Sequence, residues 1–455
     1  MHPIPCRRQI ARSSMAALSL SIAALALSAC GDSGPPGATG AIGATGATGA
    51  TGPAGAEVNW VDVTGSSVQA VANTGYMADS SSQVTITLPS SPRVGDIVEV
   101  SGPGDGGWKI AQNAGQQISV GFENAQWRPT GPSQSWKALV ASTDGSVLAA
   151  AASGGPIYMS RDDGQSWTAQ SSGNALWSSL AMSTDGIHLL AASNSGNQLY
   201  VSADSGQTWS TQGPSIGWED VAVSPDGTDM IASGYNSTNQ WGTYASVNGG
   251  ASWSQIAAYA FYSFAWPTQN ELIGTGSDLV SNMGIFVSSD AGVSWSLVEA
   301  EPGSYATWEQ VKASSDGTQV YALGAGTGLG ISRSSGASNS WTVNQSSPWT
   351  NLSVSADGTA LIATGSLPAA ISTDSGQNWT PVDPDGEQFS SFVVTDDDQK
   401  VIAGTNGGPL YALSSVTTVG TAGAVTGKQN QAVTLQYVGN GVFVVINNEG
   451  PLAVQ

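Results

Sequence analysis

The sequence predicts an all-β protein whose main body is a seven-bladed β-propeller inserted into a small β domain. Three observations predict it. An octad ending in tryptophan recurs at near-constant spacing through the middle of the chain. An aromatic residue eight places ahead of a turn aspartate recurs between the octads. Two β-patterned flanks, the shorter of which buries too little surface to fold alone, bracket the array.

The octads are Ser160–Trp167, Ser202–Trp209, Ser246–Trp253, Ser288–Trp295 and Ser372–Trp379, with a longer degenerate copy at Ser332–Trp341. Their closing tryptophans lie 42, 44, 42, 46 and 38 residues apart. The third place of the five regular octads holds Asp162, Asp204, Asn248, Asp290 and Asp374, and the fifth holds glycine. That order suits a hairpin turn. The side-chain oxygen accepts backbone N–H bonds, the glycine takes positive φ, and the tryptophan pins the next strand to its sheet. The motif resembles the Asp-box, or BNR, repeat of sialidase-like propellers. The resemblance implies four-stranded blades in which these five side chains are structural.

Between octads run units from an aromatic to Ser-x-Asp-Gly: Trp136–Gly145, Trp177–Gly186, Trp218–Gly227, Trp308–Gly317 and Trp349–Gly358. Weaker copies begin at Tyr262 and Phe389, which makes seven units and seven blades. The last unit ends near Leu413 without an octad, whereas the residues around Trp127 read like the strand that follows one. Placing them in the seventh blade as its outer strand removes the open edges at the join.

The flanks are residues 57–124 and 416–455, and the propeller occupies 125–415 between them. Both flanks alternate as strands do, in Gln83–Leu88 and Val442–Ile446 for example. Together they make a domain of ordinary size. Gly75–Ala78, Gly106–Gln116 and Val419–Gly423 resemble the small β head domains seen after collagen-like stalks and in phage tail fibres. That resemblance implies a trimeric structural head.

Residues 1–29 read as a processing segment, with Arg7, Arg8 and Arg12 ahead of an apolar stretch, Met15–Leu27, too short to span a bilayer. Leu27-Ser28-Ala29-Cys30 resembles a bacterial lipobox. It implies cleavage before Cys30, lipid on that cysteine and, with Gly31 following, sorting to the outer membrane and the cell surface. Residues 30–56 carry the lipidated cysteine and a stalk with glycine at every third place from Gly31 to Gly55. Only glycine fits the axis of three wound chains, so the stalk is collagen-like and a homotrimer through stalk and head is expected.

Composition narrows the function. Lys and Arg total 12 against 33 Asp and Glu, the reverse of a nucleic-acid footprint. Without residues 1–29, one histidine, His188, and one cysteine, Cys30, remain. Zinc sites of the Cys/His type, cysteine nucleophiles and disulfide staples are thereby excluded, and no cofactor is expected. His188 reads as a tolerated strand residue. Sialidases grip a carboxylate with three arginines. The propeller has only Arg128, Arg161 and Arg333, the last two inside octad turns.

A glycoside hydrolase needs two carboxyl groups at the right separation. Glu219, Asp220 and Glu309 are the candidates, with Glu299 and Glu301 nearby, and a solvated acidic rim is the plainer reading. Asp383, Asp385 and Glu387 form a weak calcium candidate through their hard oxygens. The ring of Trp136, Trp177, Trp218, Tyr262, Trp308, Trp349 and Phe389 has two readings: packing between blades, or a mouth that stacks on a ligand. The function expected is a surface lipoprotein whose non-catalytic propeller binds an extracellular glycan or protein in adhesion. The alternatives are a glycoside hydrolase and an assembly scaffold, the latter like photosystem assembly factors of this repeat class.

Overall fold

The computed structural model describes residues 58–455, apart from 195, 258, 279–282, 301–306, 326–329, 337–340, 346–348, 366–367, 383–388, 396–398, 451 and 455. Cys30 and the Gly-X-Y run lie outside the described residues, as do Glu301, the calcium candidates Asp383, Asp385 and Glu387, and the side chain of Glu299. The described residues belong to one unit, Glu57–Gln455.

Strands dominate, and seven four-stranded antiparallel meanders follow one another among the described residues. Their first strands are Gln134–Ala141, Trp177–Met182, Gly217–Val223, Ala260–Thr268, Thr307–Ala313, Trp349–Val354 and Phe389–Val394. The second strands are buried almost throughout, as in Leu148–Ala152, Leu189–Ser193 and Met230–Tyr235. A strand covered on both faces reads as an unbroken apolar run, and its alanines and serines let neighbouring sheets approach. Two of the fourth strands, Thr168–Ala169 and Thr380–Pro381, are short and exposed, which limits the edge they offer.

The meanders share their cores. Each of seven apolar clusters straddles a junction between neighbours. One joins Ile157 and Met159 of the first meander to Trp177 and Leu180 of the second. Another sets Val393, Ile402 and Leu410 of the seventh against Trp136, Leu139 and Leu148 of the first, which closes the ring. The closure is also hydrogen-bonded. Arg128–Pro129, which precedes the first meander, pairs with Leu410–Ser414 as the outer strand of the seventh.

The octad turns are built by side chains. Ser202 Oγ donates to Asp204 Oδ1 at 2.8 Å, and Thr208 donates through N and Oγ1 to its two oxygens at 2.9 and 2.6 Å. Gly206, at φ 80°, donates its N–H to Ser202 Oγ, and Trp209 Nε1 donates to the Gly206 carbonyl. Asp162, Asn248, Asp290 and Asp374 accept the same pair of bonds, from a serine two residues before and a backbone N–H four residues after. Ser205 N donates to Ile187 O, so the octad turn touches the Ser-x-Asp-Gly turn of its own meander.

The flanks interleave. A six-stranded sheet runs Asn59–Val63, Thr74–Ala78, Ile97–Ser101, Ala432–Gly439, Val442–Glu449, Gln117–Ser119. A five-stranded sheet runs Ser67–Gln69, Val84–Thr87, Trp108–Ala111, Ala424–Gly427, Ala453–Val454. One core, from Val63 to Val454, serves both sheets. Trp108 is fully buried, and a Cβ on Gly427 opposite would sit 2.3 Å from its ring, so only glycine fits there.

The bonds from Thr208 hold the Asp204 carboxyl below its ordinary range, and those from Ser294 do the same for Asp290. A depressed folded pKa stabilises the fold above the unfolded value of about 4 and is lost as pH falls through the folded one. Asp204→Ala is expected to cost about 1 kcal/mol at neutral pH. In chemical denaturation that deficit should shrink as acid protonates the wild-type carboxylate.

Candidate functional site

The first strands of the seven meanders enclose a channel of about 660 Å³. A second cavity of about 480 Å³ adjoins it where those strands begin. A repeated irregularity shapes this mouth. Each first strand carries a β-bulge one residue past its aromatic position, as between Trp218 and Asp220 or Trp308 and Gln310. A bulge re-aims the side chain it adds. The seven added residues are Lys137, Ser178, Glu219, Tyr262, Glu309, Thr350 and Ser390, and all line the channel or its mouth.

The residues ahead of the bulges belong to the wall. Trp136, Trp177, Trp218, Trp308 and Trp349 are at most 5% exposed and sit in the shared cores. Trp218 packs edge-on against Tyr244 at 5.4 Å, and Trp349 stacks on Trp379 at 5.8 Å. The expectation that these five tryptophans stack a ligand is therefore corrected, because their faces are already covered. In the fourth meander Phe261, fully buried, takes the aromatic place, and Tyr262 is the bulged residue. Phe389 is half-buried against Trp127, ring centroids 4.6 Å apart.

The residues after the bulges, with Ser390 from a bulge itself, knit the junctions. Asp220 Oδ1 accepts from Ser179 Oγ of the second meander at 2.5 Å, and Oδ2 from Phe264 N of the fourth at 2.8 Å. Ser263 Oγ accepts from Val311 N, Gln310 Oε1 from Leu352 N, and Ser390 O from Asn351 Nδ2. Ser390 Oγ then donates to Trp136 O. This belt crosses six of the seven junctions among the described residues. At the remaining one the residue after the bulge is Ala138, which has no hydrogen-bonding side chain, and Trp177 Nε1 donates to Gly155 O instead.

Glu219, Asp220 and Glu309 do meet at one mouth, together with Lys137 and Lys312. Burial pushes the Asp220 carboxyl up, against the pull of Lys312 and the bonds from Ser179 and Phe264. Burial and then the neighbouring Asp220 raise Glu219, and Lys137 opposes them. Asp220 is thus a bridge between meanders, while Glu219 lines the mouth, its side chain open to solvent yet its carboxyl crowded by the cavity wall. The two lysines escaped the sequence reading. Lys137 was within its reach, since it directly follows an aromatic of the repeat.

The other candidates lie elsewhere. Arg161 donates to Ser205 O and Arg333 to Gln319 Oε1, both at the turn end. His188 packs over Gly227 behind a Ser-x-Asp-Gly turn. Among the described residues no group of three His, Cys, Asp or Glu is placed to hold a metal ion.

No protein-family model matches the sequence, and no curated protein matches it. Among solved structures it is similar to the GH74 xyloglucanase of Xanthomonas campestris, with a TM-score of 0.50 and 15% identity over 72% of this chain and 55% of that one. It is also similar to the Swd1 β-propeller domain of Myceliophteria thermophila, with a TM-score of 0.50 and 11% identity over 63% and 99%. YCF48 from Cyanidioschyzon merolae matches with a TM-score of 0.48 and 15% identity over 64% and 98%. The chain is a β-propeller. The propeller fold serves a named xyloglucanase and the Swd1 domain alike, so function has to be argued from the site.

Substitutions at two residues separate wall from mouth. Asp220→Ala leaves the Ser179 hydroxyl and the Phe264 N–H without their acceptor and should cost about 2 kcal/mol or more in urea denaturation. Asp220→Asn, which keeps one acceptor, should cost less. Glu219 has a raised folded pKa, so its ionised form opposes folding at neutral pH and the opposition fades as pH falls toward its unfolded value. Glu219→Gln should therefore melt higher than wild type at pH 7, with the gap closing near pH 4.

Proposed function

We propose that the protein is a bacterial surface lipoprotein that displays a seven-bladed, Asp-box propeller as a non-catalytic binding or adhesion module. In this reading residues 1–29 are removed and Cys30 carries the lipid. The Gly-X-Y stalk and the head join three copies, and the meanders are the blades. The channel mouth carries the argument. Seven bulges aim one side chain per blade at it, and the side chains are chemically mixed, as a recognition surface needs. Of the adjacent acids Glu219 and Asp220 at the mouth, Asp220 has both oxygens committed to neighbouring blades.

A glycoside hydrolase is the second reading. Glu219 and Glu309 share the mouth, and a raised carboxyl such as Glu219 is what a general acid requires.

A glycan array on the full chain, with hydrolysis assayed on every hit, separates the two. Binding without product release is expected. Product release that disappears in Glu219→Gln or Glu309→Gln would establish the hydrolase instead. Cys30→Ser should move the protein from the membrane to the soluble fraction, and light scattering should report three copies. A single copy that retains stalk and head would remove the trimer.

A further inference from the structure

The mouth and its rim point to a ligand class. We propose that the propeller binds a neutral glycan laid across an aromatic platform of Tyr235, Trp241 and Tyr262 that leads into the mouth. This rests on the binding-module reading above and adds a subsite and a ligand class to it.

The platform is not part of the repeat. Tyr235 ends the second strand of the third blade, and Trp241, directly opposite it in register, opens the third. Their ring centroids are 5.3 Å apart, and Trp241 meets Tyr262 of the fourth blade edge to face at 5.8 Å. All three residues are half-buried, unlike the tryptophans of the wall. The platform therefore crosses the junction of two blades and ends at a residue that lines the mouth. The loop between Tyr235 and Trp241 is closed on itself. Asn236 Oδ1 accepts from Thr238 N and Gln240 N at 2.9 and 3.0 Å, and Asn239 turns at φ 57°. Every shared core of the ring is complete without Trp241.

Charge decides among ligands. Glu219, Asp220 and Glu309 line the mouth together with Lys137 and Lys312. A polyanion meets the carboxylates, and the net charge of −21 compounds the repulsion. A cationic peptide is drawn by the net charge but meets Lys137 and Lys312 at the mouth itself. A neutral polyol suits both signs, because each hydroxyl donates and accepts, while the C–H face of a pyranose rests on aromatic carbon.

Affinity electrophoresis of the detergent-solubilised full chain tests this, in gels containing β-glucan, xylan, galactomannan, starch or, as the anionic comparator, alginate. At least one neutral polysaccharide should retard the protein. Trp241→Ala should weaken that binding about 10-fold or more, as loss of an aromatic anchor does, and Trp241→Tyr should recover part of it. Unchanged melting would show that the fold survives. If Trp241→Ala does not fold, Tyr235→Ala and Trp241→Tyr carry the comparison. Equal retardation of wild type and platform variants, or retardation by alginate alone, overturns the proposal. A protein ligand lost in Glu309→Gln, with no polysaccharide retarding the chain, overturns the glycan subsite but leaves the binding module standing. Absence of any ligand, sugar or protein, sinks both.

Discussion

A four-stranded meander has two faces and no core of its own, and the rest of this structure depends on how that deficit is met. Each sheet buries its faces only against a neighbour on either side, so the array is complete only as a closed ring. The second strands show the cost in sequence. Leu148–Ala152 and Leu189–Ser193 are apolar or small throughout, because neither face sees water. The ring aromatics fill the wider space toward one end of each junction, and the belt of side-chain bonds through Asp220, Ser263 and Gln310 ties adjacent first strands. The clasp by Arg128–Pro129 supplies the one strand that the last meander lacks.

Much of this was legible because repetition turns weak local signals into a pattern. The octads specify their turns through Ser, Asp, Gly and Trp at fixed places, and the structure uses each of them. The residues around Trp127 were recognisable as an outer strand because they stand where one would follow an octad. The fourth inner-strand unit was misread by one residue. It lacks a Ser-x-Asp-Gly turn, and its strand runs on through Trp266, Pro267 and Thr268, so there was no turn aspartate from which to count back to Phe261. The bulges were illegible for a different reason. One added residue shifts the in–out alternation beyond it, and only the partner strand reveals which residue is extra. The role of Asp220 was hidden because its two partners come from meanders before and after its own.

The acidic composition also has a physical location. Among the described residues, nine aspartates, at 144, 162, 185, 204, 226, 290, 316, 357 and 374, accept a hydroxyl from the serine two residues before them. Asp204 and Asp290 keep their charge more firmly than a free carboxyl does. These acids gather at the turn end of the ring, away from the mouth, whose described lining carries three carboxyls and two lysines. Among the described residues, a strongly acidic protein thus keeps both signs of charge side by side at one end of its channel.

The join between propeller and head has a wider meaning. Ser119 and Val416 form an antiparallel bridge, flanked by Val120 N donating to Ser415 O and Thr417 N donating to Ile118 O. The chain leaves the head and returns to it at one hydrogen-bonded pair, as it does at the base of any β-hairpin. To the head, the whole propeller is a hairpin loop. The entropy of closing so long a loop is met by the propeller's own folding, and the ring closes on itself just inside the join. The flanking sheets therefore ask of the ring chiefly that its two ends lie side by side, with Leu452 N donating to Asn124 O and Ala125 packing on both cores as further ties among the described residues.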